Sequence, residues 1–195
     1  MDEDGSTATP RISHGVEGIA DGTPLGWSLG VAPGGLDEDW ARALVSGFAQ
    51  CGAEVGLELV AAADLYAPYP EGPVFGGELG MVVWSWLGWV TPPCELFASW
   101  EIPSAATPEG SNASGFSDPT YDAACRTLLF GAGAEGPGAE AARATQRVFA
   151  EQLPALPLIV LPRVAAFGPG VCGLQADPSS VSLLWDLESL APCAP

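Results

Sequence analysis

Glycine and proline restrict the fold of this chain more than any other feature of its sequence. The 195 residues include 25 glycines and 19 prolines, well above the usual share of these two residues. Proline has no backbone N–H group, and glycine loses the most conformational freedom on folding, so both interrupt regular elements. A helical bundle or a coiled coil is therefore excluded. Because 48% of the residues are hydrophobic, the sequence predicts a loop-rich domain of short elements around a hydrophobic core.

A strand–helix–strand unit opens the patterned part of the chain. Leu25–Val31 predicts a short strand, Asp37 is placed to cap a helix that ends at Gln50, and alternating residues 55–59 predict a second strand. Units of this kind build parallel or mixed sheets. The predicted fold class is therefore α/β, a mixed sheet with flanking helices and loops rich in glycine and proline. The helix is expected to face the core with Trp40, Leu44, Phe48 and Cys51.

The remaining sequence predicts two more strands and two more helices. Gly80–Trp86 is unbroken apolar and is interpreted as a strand buried on both faces, and Leu156–Leu161 as a last central strand. Asp118 and Pro119 are typical of a helix start, and a third helix is predicted over Ala139–Gln152. The side chains expected to face inward are Tyr121, Ala124, Cys125, Leu128 and Leu129 on the second helix, and Ala141, Thr145, Val148 and Phe149 on the third.

The charge balance excludes two classes of partner. Six arginines and no lysine stand against 24 acidic residues, which gives a net charge of −18. A surface this acidic repels the phosphates of nucleic acids and the headgroups of anionic lipids. The longest apolar run, Leu79–Val90, is also shorter than the roughly 20 residues that a membrane crossing needs. We expect neither nucleic-acid binding nor membrane insertion.

The five cysteines lie far apart in the sequence, and none belongs to a CxxC pair. This spacing suits structural disulfides, which form in extracellular or periplasmic compartments. The first five residues, Met1–Gly5, form an acidic and polar segment that is unlike a secretory signal. We therefore expect the chain to begin partway through a longer protein. Residues 1–23 lack a helix or strand period and are predicted to form a poorly ordered leader.

Catalytic chemistry has little support among the residue types present. The one histidine, His14, lies in the leader and is interpreted as a solvated loop residue. Nucleophilic catalysis then lacks its usual base, and no enzymatic activity, metal or cofactor is expected. One enzymatic alternative stays open, a hydrolase with two carboxylates near Trp86 and Trp89.

Tryptophans concentrate around the end of the predicted strand 80–86. Trp84 and Trp86 alternate along that strand, so their side chains are expected on opposite faces, and Trp89 follows on the loop. Ligands of α/β proteins usually bind where a strand ends in such a loop. Core packing is the alternative for Trp84 and is equally compatible with Trp86, whereas Trp89 is the stronger candidate for facing a ligand.

The order of motifs along the chain carries a family resemblance. The motifs are Trp84–Trp86, Pro92–Phe97, Asn112–Phe116, Ser117–Asp122, Gln146–Glu151, Leu153–Leu158 and Pro169–Leu174. In this order they resemble the C-terminal part of the extracellular solute-binding proteins of family 5, the oligopeptide- and dipeptide-binding components of ABC importers. The resemblance extends from about Asp21 to about Leu190.

The resemblance implies a clamp of two α/β lobes, a type II periplasmic-binding-protein fold that closes on a peptide or similar small solute. Residues 24–165 would form part of the second lobe, and residues 166–195 would return to pack on the first. The partner of such a protein is an ABC permease. One jaw alone is expected to bind weakly. Residues expected to be under-buried are Val171, Leu174, Leu183, Leu184 and Trp185. The alternative function class is a remnant open reading frame without transport activity.

The resemblance also implies the site residues and the disulfides. Trp86, Gly88, Trp89 and Asn112 would bind the ligand. Trp89 stands where dipeptide-binding relatives carry an aspartate that pairs with the peptide amine, so an aromatic face would hold a cation or stack on the solute. The preferred disulfide is Cys94–Cys125, Cys51–Cys172 is a weaker second choice, and Cys193 would be left unpaired.

Overall fold

The computed structural model describes residues 9–86, 92–131, 136–160, 168–175 and 184–193, together with residues 164, 166, 177, 180 and 182. The chain divides into two compact units. The first consists of residues up to Trp86 and of Glu95–Ser117, and the second of Leu87–Cys94 and Asp118–Pro195. Within the described ranges every helix is too short or too polar to cross a lipid bilayer.

The first unit is built on a small parallel sheet. Its strands are β1 (Gly26–Val31), β2 (Glu54–Leu59) and β3 (Met81–Val82), which lie in the order β2-β1-β3. Helix α1 (Gly35–Gln50) connects β1 to β2, and the four-residue helix α2 (Ala62–Leu65) follows β2. The predicted α/β class and the first two predicted strands are confirmed.

The core of the first unit lies between β1 and α1. Leu29 and Val31 on β1, Ala41 on α1 and Val83 after β3 are buried together. Half-buried residues pack around them; these are Trp40, Leu44, Val45, Val55, Leu57 and Met81. Helix α1 thus presents the predicted stripe to the sheet except at Cys51, which is exposed. Cys51 follows the last residue of α1, where Gly52 turns the chain with a φ of +80°.

The start of α1 differs from the prediction that Asp37 caps it. The N-cap is Gly34, whose φ of 86° favours glycine. Its N–H donates to the Glu38 carboxylate, 2.5 Å away, so a side chain of the helix itself satisfies this backbone donor. Asp37 is therefore released from the capping role.

The predicted strand Gly80–Trp86 is wrong in its length. Only Met81 and Val82 pair with β1, and the Val83 N–H still donates to Gly30 O. The ladder stops because β3 has one neighbour, β1, among the described strands, and β1 ends at Val31. The expected alternation of Trp84 and Trp86 is lost with it, since their two rings are in contact.

A four-residue helix, α3 (Cys94–Phe97), and a 3₁₀ turn at Ser99–Glu101 come next along the chain. Helices α4 (Pro119–Phe130) and α5 (Pro137–Gln152) follow, as predicted. Buried residues of α4 are Tyr121, Ala124 and Cys125, and those of α5 are Gly138, Ala141, Thr145 and Val148. Leu129 is exposed, contrary to the prediction for α4.

Asp118 and a disulfide hold α4 in the second unit. The Asp118 carboxylate accepts hydrogen bonds from the N–H groups of Thr120 and Tyr121, each at 2.8 Å, so the predicted cap is confirmed. Cys94 and Cys125 form the preferred disulfide, with a Cα–Cα distance of 5.7 Å and both residues buried.

The last part of the chain departs furthest from the predictions. Among the described residues of the run Leu156–Leu161, 156–160, none is in a strand, and Val160 is 94% exposed. An apolar run needs a strand partner to become a central strand, and the described sheet offers 156–160 none. Two short strands, β4 (Val171–Cys172) and β5 (Ala191–Pro192), instead form an antiparallel pair.

This pair decides the second disulfide. It brings Cys172 and Cys193 together at a Cα–Cα distance of 5.0 Å, and Cys51 is the free, exposed cysteine. The weaker choice Cys51–Cys172 and the unpaired Cys193 are therefore wrong. The cause is local register, since Cys193 follows β5 directly and its N–H donates to Gly170 O.

Exposure of apolar residues in this region agrees with the prediction where it is described. Val171, Leu184 and Trp185 are 44%, 47% and 44% exposed, and Leu174 is half-buried. Leu183 lies outside the described residues.

Part of the predicted leader is tied down by backbone hydrogen bonds. Ile12 and Pro24 form an antiparallel bridge, and the Leu25 N–H donates to Arg11 O. The Arg11 N–H donates in turn to Gly52 O, which attaches this segment to the turn after α1. The proposed division at residues 23 and 165 stays a prediction.

Candidate functional site at the carboxyl edge of the sheet

The three parallel strands of the first unit end at one edge of the sheet. From the central strand β1 the chain passes through α1 to β2 on one side, and then returns to β3 on the other side. The segments that follow β1 and β3 therefore diverge, which makes the carboxyl ends of these two strands a topological switch point. Ligands of open α/β sheets bind at such points.

One side-chain hydrogen bond joins the two segments that diverge there. Asp37 lies in the first turn of α1, just after β1, and Ser85 lies three residues after β3. The Ser85 hydroxyl donates to Asp37 Oδ1 across 3.1 Å. The switch point is thus lined by a carboxylate and a hydroxyl that were not among the predicted site residues.

Three aromatic rings stand beside this pair, and we call them the aromatic cluster: Tyr66, Trp84 and Trp86. The centroids of Tyr66 and Trp84 are 6.4 Å apart with planes inclined by 30°, and those of Trp84 and Trp86 are 6.3 Å apart with planes at 77°. Trp86 is 43% exposed, whereas Tyr66 and Trp84 are half-buried. Tyr66 follows α2, so segments after all three strands contribute to the site.

Asp37 and the aromatic cluster are electrostatically coupled. Burial, together with the negative charge of Asp37, raises the pKa of the Tyr66 phenol above its usual value of 10.0. The Asp37 carboxylate therefore lies within electrostatic reach of the cluster. Tyr66 stays a neutral hydrogen-bonding group at physiological pH.

The charge of the neighbouring carboxylate, Glu38, is balanced within α1 by an ion pair with Arg42. The hydrogen bond from the Gly34 N–H, followed by the Arg42 guanidinium, lowers the pKa of Glu38. The Arg42 Nη2 lies 2.6 Å from Glu38 Oε1. A general acid needs a raised pKa, so Glu38 is unsuited to the general-acid role in the alternative of a hydrolase with two carboxylates.

The four predicted ligand-binding residues have different outcomes. Trp86 lies in the aromatic cluster, at the edge where a ligand is expected. Gly88 and Trp89 lie outside the described residues. The fourth, Asn112, is in the first unit and completely buried.

The Asn112 side chain holds a loop together. Its amide nitrogen donates to Ala98 O at 2.9 Å and to Phe116 O at 2.8 Å, and its Oδ1 accepts from the Ser114 hydroxyl at 2.8 Å. A buried amide with these partners fixes the backbone of residues 98–116. Its predicted contact with a ligand stays a prediction.

Sequence reasoning missed Asp37, Tyr66 and Ser85 as site residues. The sequence pattern places Asp37 at a helix cap, although an acidic helix start directly after a central strand is also a signal for a switch-point site. Tyr66 carries no such signal, because its position depends on a turn that is rich in proline and glycine. Within the described ranges, no group of three or more His, Cys, Asp and Glu side chains is arranged to hold a metal ion.

Solved structures of other proteins are similar to this chain. No family model and no curated protein matches the sequence. Three solved structures match as follows. An oligopeptide-binding protein from Thermus thermophilus in complex with a pentapeptide is 19% identical, with a TM-score of 0.58 over 70% of this chain and 24% of that one. NikZ from Campylobacter jejuni in complex with Ni(L-His) is 15% identical, with a TM-score of 0.61 over 89% and 34%. The oligopeptide-binding protein AppA from Bacillus subtilis in complex with a nonapeptide is 18% identical, with a TM-score of 0.62 over 95% and 35%.

These matches confirm the fold that the resemblance implies. The chain has the mixed α/β fold of part of the periplasmic binding proteins, and it spans about a quarter to a third of the chains it matches.

Proposed function

We propose that this chain binds peptides or similar small solutes, as part of the substrate-binding component of an ABC importer. The observation that carries the proposal is the set of aromatic rings at the switch point of the sheet, one of them 43% exposed. Aromatic side chains with a few polar groups are the usual lining of solute sites. Structures of the same fold are described with a pentapeptide, a nonapeptide and Ni(L-His).

In this proposal the solute lies against Trp86, at the carboxyl edge of the sheet. Trp86 supplies the described contact surface, and Ser85 and Asp37 add hydrogen-bonding groups at its border. Gly88 and Trp89 stay proposed ligand contacts. Asn112 acts by keeping the loop 98–116 in one conformation, in addition to any contact of its own. The site positions a solute and makes no bond, so the proposed activity is binding without catalysis.

The proposed setting is periplasmic or extracellular, with an ABC permease as the protein partner. Two disulfides support this setting, because cytosolic thiols are kept reduced. The net charge of −18 supports the absence of nucleic-acid partners.

Binding by this chain alone is proposed to be weak. A single wall removes only part of a solute from water, and association must first overcome the loss of translational and rotational freedom. We expect dissociation constants near 1 mM, or about −4 kcal/mol.

Nitrogen-15 NMR tests the proposal directly. The labelled chain is titrated with mixtures of tri- to pentapeptides, and the indole N–H signals of the tryptophans are followed. We expect saturable shifts at Trp84 and Trp86. The Trp86→Ala variant should lose them, whereas Trp185→Ala, which removes a 44% exposed tryptophan elsewhere, should not. A folded chain without shifts supports the remnant reading frame instead, and sub-micromolar binding contradicts the single-wall account.

A further inference from the structure

The carboxylate of Asp37 is a charged group of the site without a cationic partner among the described residues. Both arginines of the first unit are engaged elsewhere: Arg42 pairs with Glu38, and the Arg11 Nε donates to Cys51 O. Among the described residues Asp37 is in no ion pair, and its side chain accepts its hydrogen bond from the neutral hydroxyl of Ser85. The negative charge of Asp37, at the carboxyl edge of the sheet, is therefore available to a positively charged ligand.

The rings of the aromatic cluster also favour a positively charged ligand. Trp84 and Trp86 meet at 77°, so the two indole planes form a corner, and Trp86 leaves part of its surface in solvent. The face of an indole ring is the most favourable aromatic surface for a cation. Ser85, which donates to Asp37, stands between Trp84 and Trp86 in the sequence, so the site can combine charge and π contributions for one positively charged group.

The electrostatic potential around the site is negative, as a positively charged ligand requires. Asp37, Glu38 and Asp39 are consecutive in the first turns of α1, and Arg42 offsets only one of them. Their charge outweighs the positive half charge at the helix N-terminus. The whole chain adds a net charge of −18, which attracts cations and repels anions over distances of several ångströms.

We propose that Asp37, Trp84 and Trp86 together bind an organic cation, a protonated or quaternary amine carried by the solute. This inference rests on the proposed function and deepens it. The amine nitrogen sits over the indole corner and faces the Asp37 carboxylate, while Ser85 holds that carboxylate in place through its hydroxyl. The selecting charge therefore comes from Asp37, in the segment after β1.

The test compares cations with neutral molecules of the same shape. The folded chain is titrated with tetramethylammonium and with n-butylammonium, and in parallel with tert-butanol and n-butanol, while the Trp84 and Trp86 indole signals are followed by NMR. We expect both cations to bind at least about fivefold more tightly than their neutral counterparts. Tetramethylammonium binding without n-butylammonium binding assigns the quaternary amine, and the reverse assigns the primary amine.

Two aspartates in the same turn provide matched variants. Asp37→Asn should weaken cation binding about fivefold and leave the alcohols unchanged, and Asp39→Asn, an exposed neighbour, should change neither by as much as twofold. If neutral and charged probes bind alike, or if Asp37→Asn has no effect, the cation inference is overturned while the solute site stands. If neither these probes nor the peptides shift the two indoles, the site and the inference fail together.

Discussion

The sheet of the first unit and the segment from Leu156 to Cys193 are both rich in apolar residues, but they use them differently. Leu29 and Val31 are completely buried, because β1 lies between two parallel neighbours and under α1. Val160 and Leu184 are exposed, and a disulfide with two short strands is the main described constraint near the chain end. Hydrophobic runs thus become buried strands where a neighbouring strand and a covering helix are available.

The largest change in the free energy of unfolding is expected from the difference in burial between the two regions. Leu29→Ala removes a fully buried side chain from the centre of the sheet and leaves a cavity, so the free energy of unfolding should fall by about 3–5 kcal/mol. Leu184→Ala, at a position that is 47% exposed, should cost less than about 0.5 kcal/mol. Urea unfolding followed by tryptophan fluorescence measures both. Equal effects of the two substitutions would remove the contrast between the regions.

A second comparison concerns the two disulfides. Replacing Cys94 and Cys125 by alanine opens a loop of sequence separation 31, in a buried setting, and should destabilise the second unit by about 3 kcal/mol. Replacing Cys172 and Cys193 opens a separation of 21 outside a core, and we expect helices α4 and α5 to be unaffected. Hydrogen exchange of the α4 amides distinguishes the outcomes. Loss of α4 protection in the second variant would contradict this division.

The Asp118 cap gives a smaller effect with a defined pH dependence. Asp118→Ala should cost about 1 kcal/mol, because the N–H groups of Thr120 and Tyr121 lose their acceptor. These bonds, that of Tyr121 first, lower the pKa of Asp118 below its ordinary 3.8. The stabilisation is therefore present above pH 3.8 and is lost as pH falls through the lowered pKa. Unfolding curves of both proteins should converge at acid pH, and a difference that grows there contradicts the cap.

The smallest effect concerns the charge at the site. Asp37→Asn removes a charge that raises the pKa of Tyr66, so that pKa should fall but stay above 10.0, because burial continues to raise it. Asp64→Asn, which changes an exposed carboxylate on α2, serves as the control and should leave the Tyr66 pKa in place. NMR titration of the Tyr66 ring measures the change. An unchanged Tyr66 pKa in Asp37→Asn would show that the carboxylate and the aromatic cluster are not electrostatically coupled.

Local signals in the sequence are sufficient for the elements that depend on neighbours along the chain. The strand before Pro33, the helix after Asp118 and the Cys94–Cys125 pair were predicted, the last from the resemblance. Elements whose state depends on distant partners were not. Gly80–Trp86 and Leu156–Leu161 have the composition of buried strands, but the first loses its partner where β1 ends, and residues 156–160 have no described partner.

The site was predictable only in part for the same reason. Trp86 was found because aromatic residues after a strand are a one-dimensional pattern. Asp37 and Tyr66 reach the site of the two tryptophans from the segments that follow β1 and β2, and their proximity follows from strand order, which the sequence pattern leaves open.

Intermolecular nuclear Overhauser effects between a bound peptide and the protein show whether solute binds at the carboxyl edge of the β2-β1-β3 sheet. We expect contacts from the peptide to the rings of Tyr66, Trp84 and Trp86. Contacts confined to Trp185 and the exposed apolar residues near β4 and β5 would contradict this expectation.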